Sequence, residues 1–149
     1  MDNDKAISTL NNLIETLKDG ENGFKTAAEG LTNPQTKSLF LQYSRERAQM
    51  AQELQAEVRK LGGDPEKAGS MSGSLHRGWI NIKSVVTGKS DPSIIAEAEE
   101  GEDVAKKAFE DAGKAGLPAS ANAVVHQQAV RVREAHDRVR DLKRATAKS

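Results

Sequence analysis

The chain has 149 residues, a length that suits one domain with a real apolar core. Its 22 basic and 22 acidic side chains balance, which argues against binding to nucleic acid or an anionic membrane, and without cysteine it has no disulfide or thiolate chemistry. No apolar run approaches the roughly 20 residues of a membrane helix. The opening MDNDKAISTL shows no leader pattern, so we expect one cytoplasmic domain, residues 1–149.

Apolar residues recur in steps of three and four over residues 4–31, which predicts the first long helix. Its apolar seam contains a single polar member, Glu21. Asn33-Pro34 then offers a cap and a first-turn proline for a second helix. We expect that helix to end near Leu61, because glycines follow and glycine readily takes the left-handed cap conformation.

The second, third and fourth predicted helices each carry a polar residue in their apolar seam. In the second helix it is Glu46, and in the third, which we expect to start at Asp91-Pro92, it is Glu102. A break at 116–118 separates the third helix from the fourth, whose seam contains Gln128. The last residues, KRATAKS, are expected to fray.

The lengths of the connections predict the topology. Short turns join the first helix to the second and the third to the fourth, so each pair should be an antiparallel hairpin. About thirty residues lie between Gly62 and Asp91, and within them SLHRGWINIKSVV predicts a short helix anchored by Trp79. One long central crossover is typical of the ferritin-like arrangement. We therefore predict an all-α, ferritin-like four-helix bundle whose crossover carries a short helix.

The four polar seam residues are expected at one level of this bundle, since each lies about three turns from its hairpin turn. A lone buried carboxylate is costly, so a shared polar layer or a metal should satisfy the group. Di-iron bundles use four carboxylates and two histidines in Glu and Glu-x-x-His positions. Here the corresponding positions are Glu21, Glu46 with Gln49, Glu102, and Gln128 with Arg131.

Both histidine positions of that ligand set are therefore replaced, which leaves two alternatives open. One is a metal-free layer in which Arg131 neutralises a buried carboxylate and no cofactor is bound. The other is a weakened site for iron or another divalent metal, formed by Glu21, Glu46 and Glu102 and helped by Glu99 or an outside histidine. Neither alternative assigns a catalytic residue.

Three segments, YSRERAQMAQEL, SLHRGW and EAEEGEDVAKKAFEDA, resemble the uncharacterised ferritin-like four-helix-bundle proteins of bacteria, a domain of unknown function. This family is loosely similar to stress-induced ferritin-like proteins. The resemblance implies the ferritin-like fold and no established activity.

The remaining candidates are single residues. We expect His76 to dock the crossover helix, His126 and His136 to lie on the surface, and Trp79 to pack against the bundle. The resulting functional hypothesis is a non-enzymatic, stress-associated protein that forms a homo-oligomer and binds neither nucleic acid nor membrane. The alternative is a divergent di-metal carboxylate protein for iron storage or oxidation.

Overall fold

The structure is a computed structural model that describes residues 2–65, 78–88 and 90–147. These residues form only helices and connecting turns, without a strand. The helices are α1 (Asn3–Gly30), α2 (Pro34–Lys60), α3 (Ile82–Thr87), α4 (Asp91–Gly113) and α5 (Ala119–Ala147). The predicted all-α class is confirmed for this part of the chain.

Two of the predicted helix ends are confirmed, and so is the predicted start of α4 at Asp91. The Asn33 side chain accepts hydrogen bonds from the amides of the first turn of α2, and Gly62 takes a left-handed φ of 83° after α2. The cap of α4 is Ser90, the residue before Asp91. The Asp91 carboxylate instead accepts hydrogen bonds from the backbone N–H groups of Thr32 (2.8 Å) and Asn33 (3.0 Å), so it ties the α1–α2 turn to α4.

The long helices pack as two antiparallel hairpins, α1–α2 and α4–α5. The hairpins meet mainly through α1 and α4 and less through α2 and α5. Their apolar side chains form two clusters at different levels. The lower cluster includes Leu10, Leu17, Leu54 and Phe109, and the upper cluster is centred on Phe24.

The buried face of α2 differs from the predicted seam in the first half of the helix. Sequence periodicity favours Leu39, Tyr43 and Glu46 on the inward face, but the buried residues there are Phe40, Ser44 and Arg47. From Met50 onward the predicted and the observed inward faces coincide. The inward stripe is thus displaced by one residue, and this displacement decides which charge enters the core.

Candidate functional site: a buried polar layer

An ion pair lies between the two apolar clusters. Arg47 Nη2 donates a hydrogen bond of 2.6 Å to Glu102 Oε2, and the two side chains are 2% and 0% exposed. A charge-assisted contact of this kind compensates part of the cost of burying either charge alone. The two apolar clusters are therefore separated by a layer that carries one positive and one negative charge.

Small residues make room for the guanidinium. A Cβ atom added to Gly20 of α1 would lie 2.9 Å from Arg47 Nη1, so the arginine packs directly on the α1 backbone. One turn before Arg47, the Ser44 hydroxyl donates a 2.8 Å hydrogen bond to the Glu21 carbonyl. The α1–α2 hairpin thus brings a cation inward where α1 has no side chain.

Each partner of the ion pair has one terminal atom in the hydrogen bond and one outside it. Arg47 Nη1 and Glu102 Oε1 are buried and have no hydrogen-bond partner among the described residues. The ring of Phe24 lies 5.3 Å from the guanidinium carbon and offers a cation–π contact. Because an unpaired buried polar atom costs about 1–3 kcal/mol, this layer contributes less to stability than a fully hydrogen-bonded pair would.

Only one of the four predicted layer residues, Glu102, belongs to this pair. Gln128 is buried, but its amide donates to the Met50 carbonyl (3.1 Å) and to Glu53 Oε1 (2.8 Å). Glu21 is half-buried. Glu46 is also half-buried and accepts a 2.9 Å hydrogen bond from Gln42 of the same helix.

The prediction that Arg131 neutralises the buried carboxylate is wrong. The Arg131 side chain is exposed on α5, and the cation that reaches Glu102 comes from α2. Gln49 is exposed as well, and Glu99 forms an ion pair of 3.0 Å with Lys143. Arginine 47 was missed because periodicity assigned its neighbour, Glu46, to the seam.

The donor set of a di-metal carboxylate site does not fit this layer. Within residues 2–65, 78–88 and 90–147, no three His, Asp or Glu side chains form a group that could hold a metal ion. The most buried carboxylate, Glu102, has a guanidinium on one of its oxygens. That guanidinium already supplies the positive charge that a metal cation would bring to this carboxylate.

His136 is buried, so its predicted surface position is wrong. Its Nε2 lies 2.7 Å from Asp103 Oδ1 of α4, and its Nδ1 lies 3.0 Å from Asp137 Oδ1. Burial alone would lower the pKa of His136, but the contacts with Asp137 and Asp103 outweigh it and raise the pKa above the usual value. His126 is exposed as predicted, and His76 lies outside the described residues.

Trp79 packs against the long helices, as predicted, and is 1% exposed. We call residues 78–88 the strap, because they lie across α1 and α4. The indole meets Phe24 edge-on at 4.9 Å between ring centres. Cβ atoms added to Gly23 of α1 and Gly101 of α4 would fall within 2.3 and 2.2 Å of indole atoms. The indole therefore fills a gap that exists because both helices have glycine there.

Beyond the indole, a backbone hydrogen bond and an apolar side chain attach the strap. The Asn81 N–H donates to Glu97 Oε2 at 2.6 Å, and Ile82 is buried in the upper cluster. Burial raises the pKa of the Glu97 carboxyl, an effect that the Asn81 hydrogen bond opposes and the neighbouring Glu100 adds to. Of the predicted short helix, residues 82–86 are helical in α3, residues 78–81 are not, and residues 74–77 lie outside the described residues.

The opposite side of the helical assembly, between α2 and α5, is open. A groove of about 590 Å³ lies there, with Leu39, Tyr43 and Ala135 among the residues that line it. Burial raises the pKa of the Tyr43 hydroxyl, although the charge of Arg138 opposes this. The ionisable side chains of its lining are Glu46, Arg131, Glu134, Asp137, Arg138 and Asp141.

The sequence did contain a signal for this site in its glycines. Gly20, Gly23 and Gly101 lie in the interiors of long helices, where glycine costs up to about 1 kcal/mol relative to alanine. A glycine at such a position indicates close packing of another group. In this protein the groups are Arg47 and Trp79.

Fold and site together define a small all-helical protein with an ion pair buried between two apolar clusters. The chain matches the family described as a domain of unknown function, DUF2383, over residues 5–115. The protein belongs to this family, and the matched residues begin in the first turn of α1, continue through α4 and end before α5. No curated protein matches the chain. None of the described helices is long and apolar enough to cross a membrane.

Proposed function

We propose that the chain is a non-enzymatic, stress-associated protein of the ferritin-like four-helix-bundle type, with a metal-free polar layer at its centre. The antiparallel hairpins and the single crossover between α2 and α4 support the ferritin-like topology. The stress-associated role rests on the resemblance of three sequence segments to ferritin-like bundle proteins.

The observation that carries this proposal is the Arg47–Glu102 pair. In a di-metal bundle, inward carboxylates are neutralised by bound cations. Here a guanidinium of the chain itself lies 2.6 Å from the most buried carboxylate. Because arginine keeps its charge at any physiological pH, it can neutralise Glu102 permanently. The polar layer then holds the helices in register and needs no ion.

A divergent di-metal carboxylate protein for iron storage or oxidation is the second candidate. One observation favours it: Glu102 Oε1 is buried and accepts no hydrogen bond from the described residues. For Fe(II) to bind there, the Arg47 side chain would have to move, and Glu21 and Glu46 would have to turn inward from their half-buried positions.

Anaerobic calorimetric titration with Fe(II) distinguishes the two candidates. We expect no stoichiometric binding to the wild-type protein and no ferroxidase turnover. Stoichiometric binding that Glu102→Gln and Glu46→Ala each abolish would instead establish the metal protein. Gln52→Ala is the matched control, because its exposed side chain lies on the same helix as Glu46 and outside the candidate ligand set.

The proposal includes self-association and a cytoplasmic location. Neither depends on the ion pair, so each needs its own test. Light scattering on the purified full chain should give a mass that is a multiple of 16.1 kDa. A monomer at every accessible concentration would remove self-association from the proposal and leave the rest intact.

A further inference from the structure

The strap and the buried ion pair are neighbours. Gly101, whose Cβ position falls on the indole of Trp79, directly precedes Glu102 in α4. The ring of Phe24 contacts both groups, with its centre 4.9 Å from the indole and 5.3 Å from the guanidinium carbon of Arg47. The gap that the indole fills is therefore beside the charged layer.

The strap has little regular structure of its own and is held by side-chain contacts. Its helix, α3, has 6 residues, and its N-cap side chain makes no capping hydrogen bond. So short a helix has little stability of its own and depends on the indole, on the apolar side chains of Ile82, Val85 and Val86, and on the Asn81–Glu97 hydrogen bond. Ile80, between the indole and these contacts, is 72% exposed.

The lower apolar cluster does not depend on the strap. It includes residues of α1, α2, α4 and α5 and contains no residue from 78–88. Segments with few buried contacts open at lower free energy than the core of the same protein. Release of the strap would also let water reach Arg47 Nη1 and Glu102 Oε1, the two buried atoms without a hydrogen bond.

We propose that residues 78–88 form a releasable strap, whose Trp79 indole covers the Arg47–Glu102 pair and whose local opening exposes that pair to solvent while the long helices stay folded. The strap is then a conformational device that controls access to the charged layer from the α1/α4 side. This inference holds for either function above, because it concerns access to the layer and makes no use of what the layer binds.

Hydrogen exchange followed by NMR tests the proposal on the wild-type protein. The chain has 1 tryptophan, so its indole N–H gives a single signal. After correction for intrinsic rates, we expect the Trp79 indole N–H and the Arg47 Nε–H to exchange at least about tenfold faster than the Leu13 and Leu54 amides. Those amides report on the lower cluster.

Two results would overturn the proposal. If the indole N–H exchanges no faster than the Leu13 and Leu54 amides, the strap leaves only when the whole protein unfolds. If the indole exchanges fast but the Arg47 Nε–H exchanges as slowly as the lower-cluster amides, the strap opens without exposing the ion pair.

A pair of glycine variants gives an independent test. In Gly101→Ala the new methyl group overlaps the indole, so acrylamide quenching of Trp79 should increase while the far-ultraviolet circular dichroism of the helices is kept. Gly113→Ala is the matched control on the same helix, since its Cβ would lie 3.9 Å from the nearest atom, on His126. Equal quenching in both variants would contradict the proposal, and the exchange measurement decides the matter if Gly101→Ala does not fold.

Discussion

The polar layer is closed to solvent on the α1/α4 side of the molecule and borders an open groove on the α2/α5 side. On the first side, glycines let the strap approach both helix backbones, and an indole fills the gap. On the second, the helices separate and leave a groove of about 590 Å³ with charged side chains along it. The charged residues of the groove have access to water, whereas those of the layer do not. Burial, and not residue type, therefore decides how much each charge matters to stability.

The largest expected effect comes from removing a buried cation and comparing it with an exposed one. Arg47→Ala leaves Glu102 buried without its partner, and we expect it to lower the free energy of unfolding by about 3–5 kcal/mol. Arg131→Ala, in the groove, should change it by no more than about 0.5 kcal/mol. Urea unfolding followed by circular dichroism measures both, and similar values for the two variants would remove the distinction between the layer and the groove.

The closed side can be tested at the strap. Trp79→Ala removes a buried aromatic side chain and should lower the free energy of unfolding by about 3 kcal/mol, at the lower end for such truncations. Ile80→Ala is the matched control, since its neighbouring side chain is mostly exposed and should contribute less than about 0.5 kcal/mol. Wild-type fluorescence at the wavelength of a fully hydrated indole would contradict the closure of this side.

On the closed side, the Asp91 carboxylate ties the start of α4 to the α1–α2 turn. On the open side, the Glu46 carboxylate serves for comparison. Asp91→Ala removes the acceptor for the Thr32 and Asn33 backbone N–H groups, and we expect a loss of about 1–2 kcal/mol. Glu46→Ala removes only a hydrogen bond from Gln42 and should cost about 0.5 kcal/mol or less. Thermal unfolding of the two variants shows which substitution costs more stability. A larger loss for Glu46→Ala than for Asp91→Ala would contradict the prediction.

The smallest effect depends on pH and involves His136. Its pKa is raised in the fold, so the folded state binds a proton more tightly than the unfolded chain, and the stabilisation is complete below the usual value of 6.5. It is lost as the pH rises through the higher folded-state pKa.

Between about pH 6 and pH 8, the wild-type protein should therefore lose less than about 1 kcal/mol relative to His136→Gln, because Asp103 and Asp137 are solvent-exposed. The difference between the two unfolding free energies, measured across this range, checks the sign. A difference that grows in favour of the wild type with rising pH would contradict the assignment. His126→Gln is the control, since that side chain is exposed.

Local signals were sufficient for the helices. Asn33-Pro34 and Gly62 mark their helix ends through local chemistry, a capping side chain in one case and a left-handed backbone in the other. Trp79 was predictable as buried because it is the only large aromatic residue of a polar crossover. The hydrogen bonds from the α1–α2 turn to the Asp91 carboxylate were not predicted. Such a contact depends on how the two hairpins pack against each other, and the periodicity of the sequence carries no information about that packing.

The site was harder to predict because two adjacent stripes of α2 are both compatible with a core-facing helix. The stripe through Glu46 contains leucine and tyrosine, whereas the stripe through Arg47 contains phenylalanine and serine. Arginine counts as polar in a periodicity analysis, although its long stem packs well in apolar surroundings. The choice between stripes is made by α1, where Gly20 leaves room for the guanidinium.

A double-mutant cycle on Arg47 and Glu102 tests the central claim most directly. Arg47→Met and Glu102→Leu each leave one charge buried without its partner, whereas the double variant replaces both charges with apolar side chains. We predict that the double variant loses at least about 2 kcal/mol less unfolding free energy in urea than the sum of the single variants. Additive losses would show that Arg47 does not neutralise Glu102. The proposal of a metal-free polar layer whose own charges neutralise each other would then have to be abandoned.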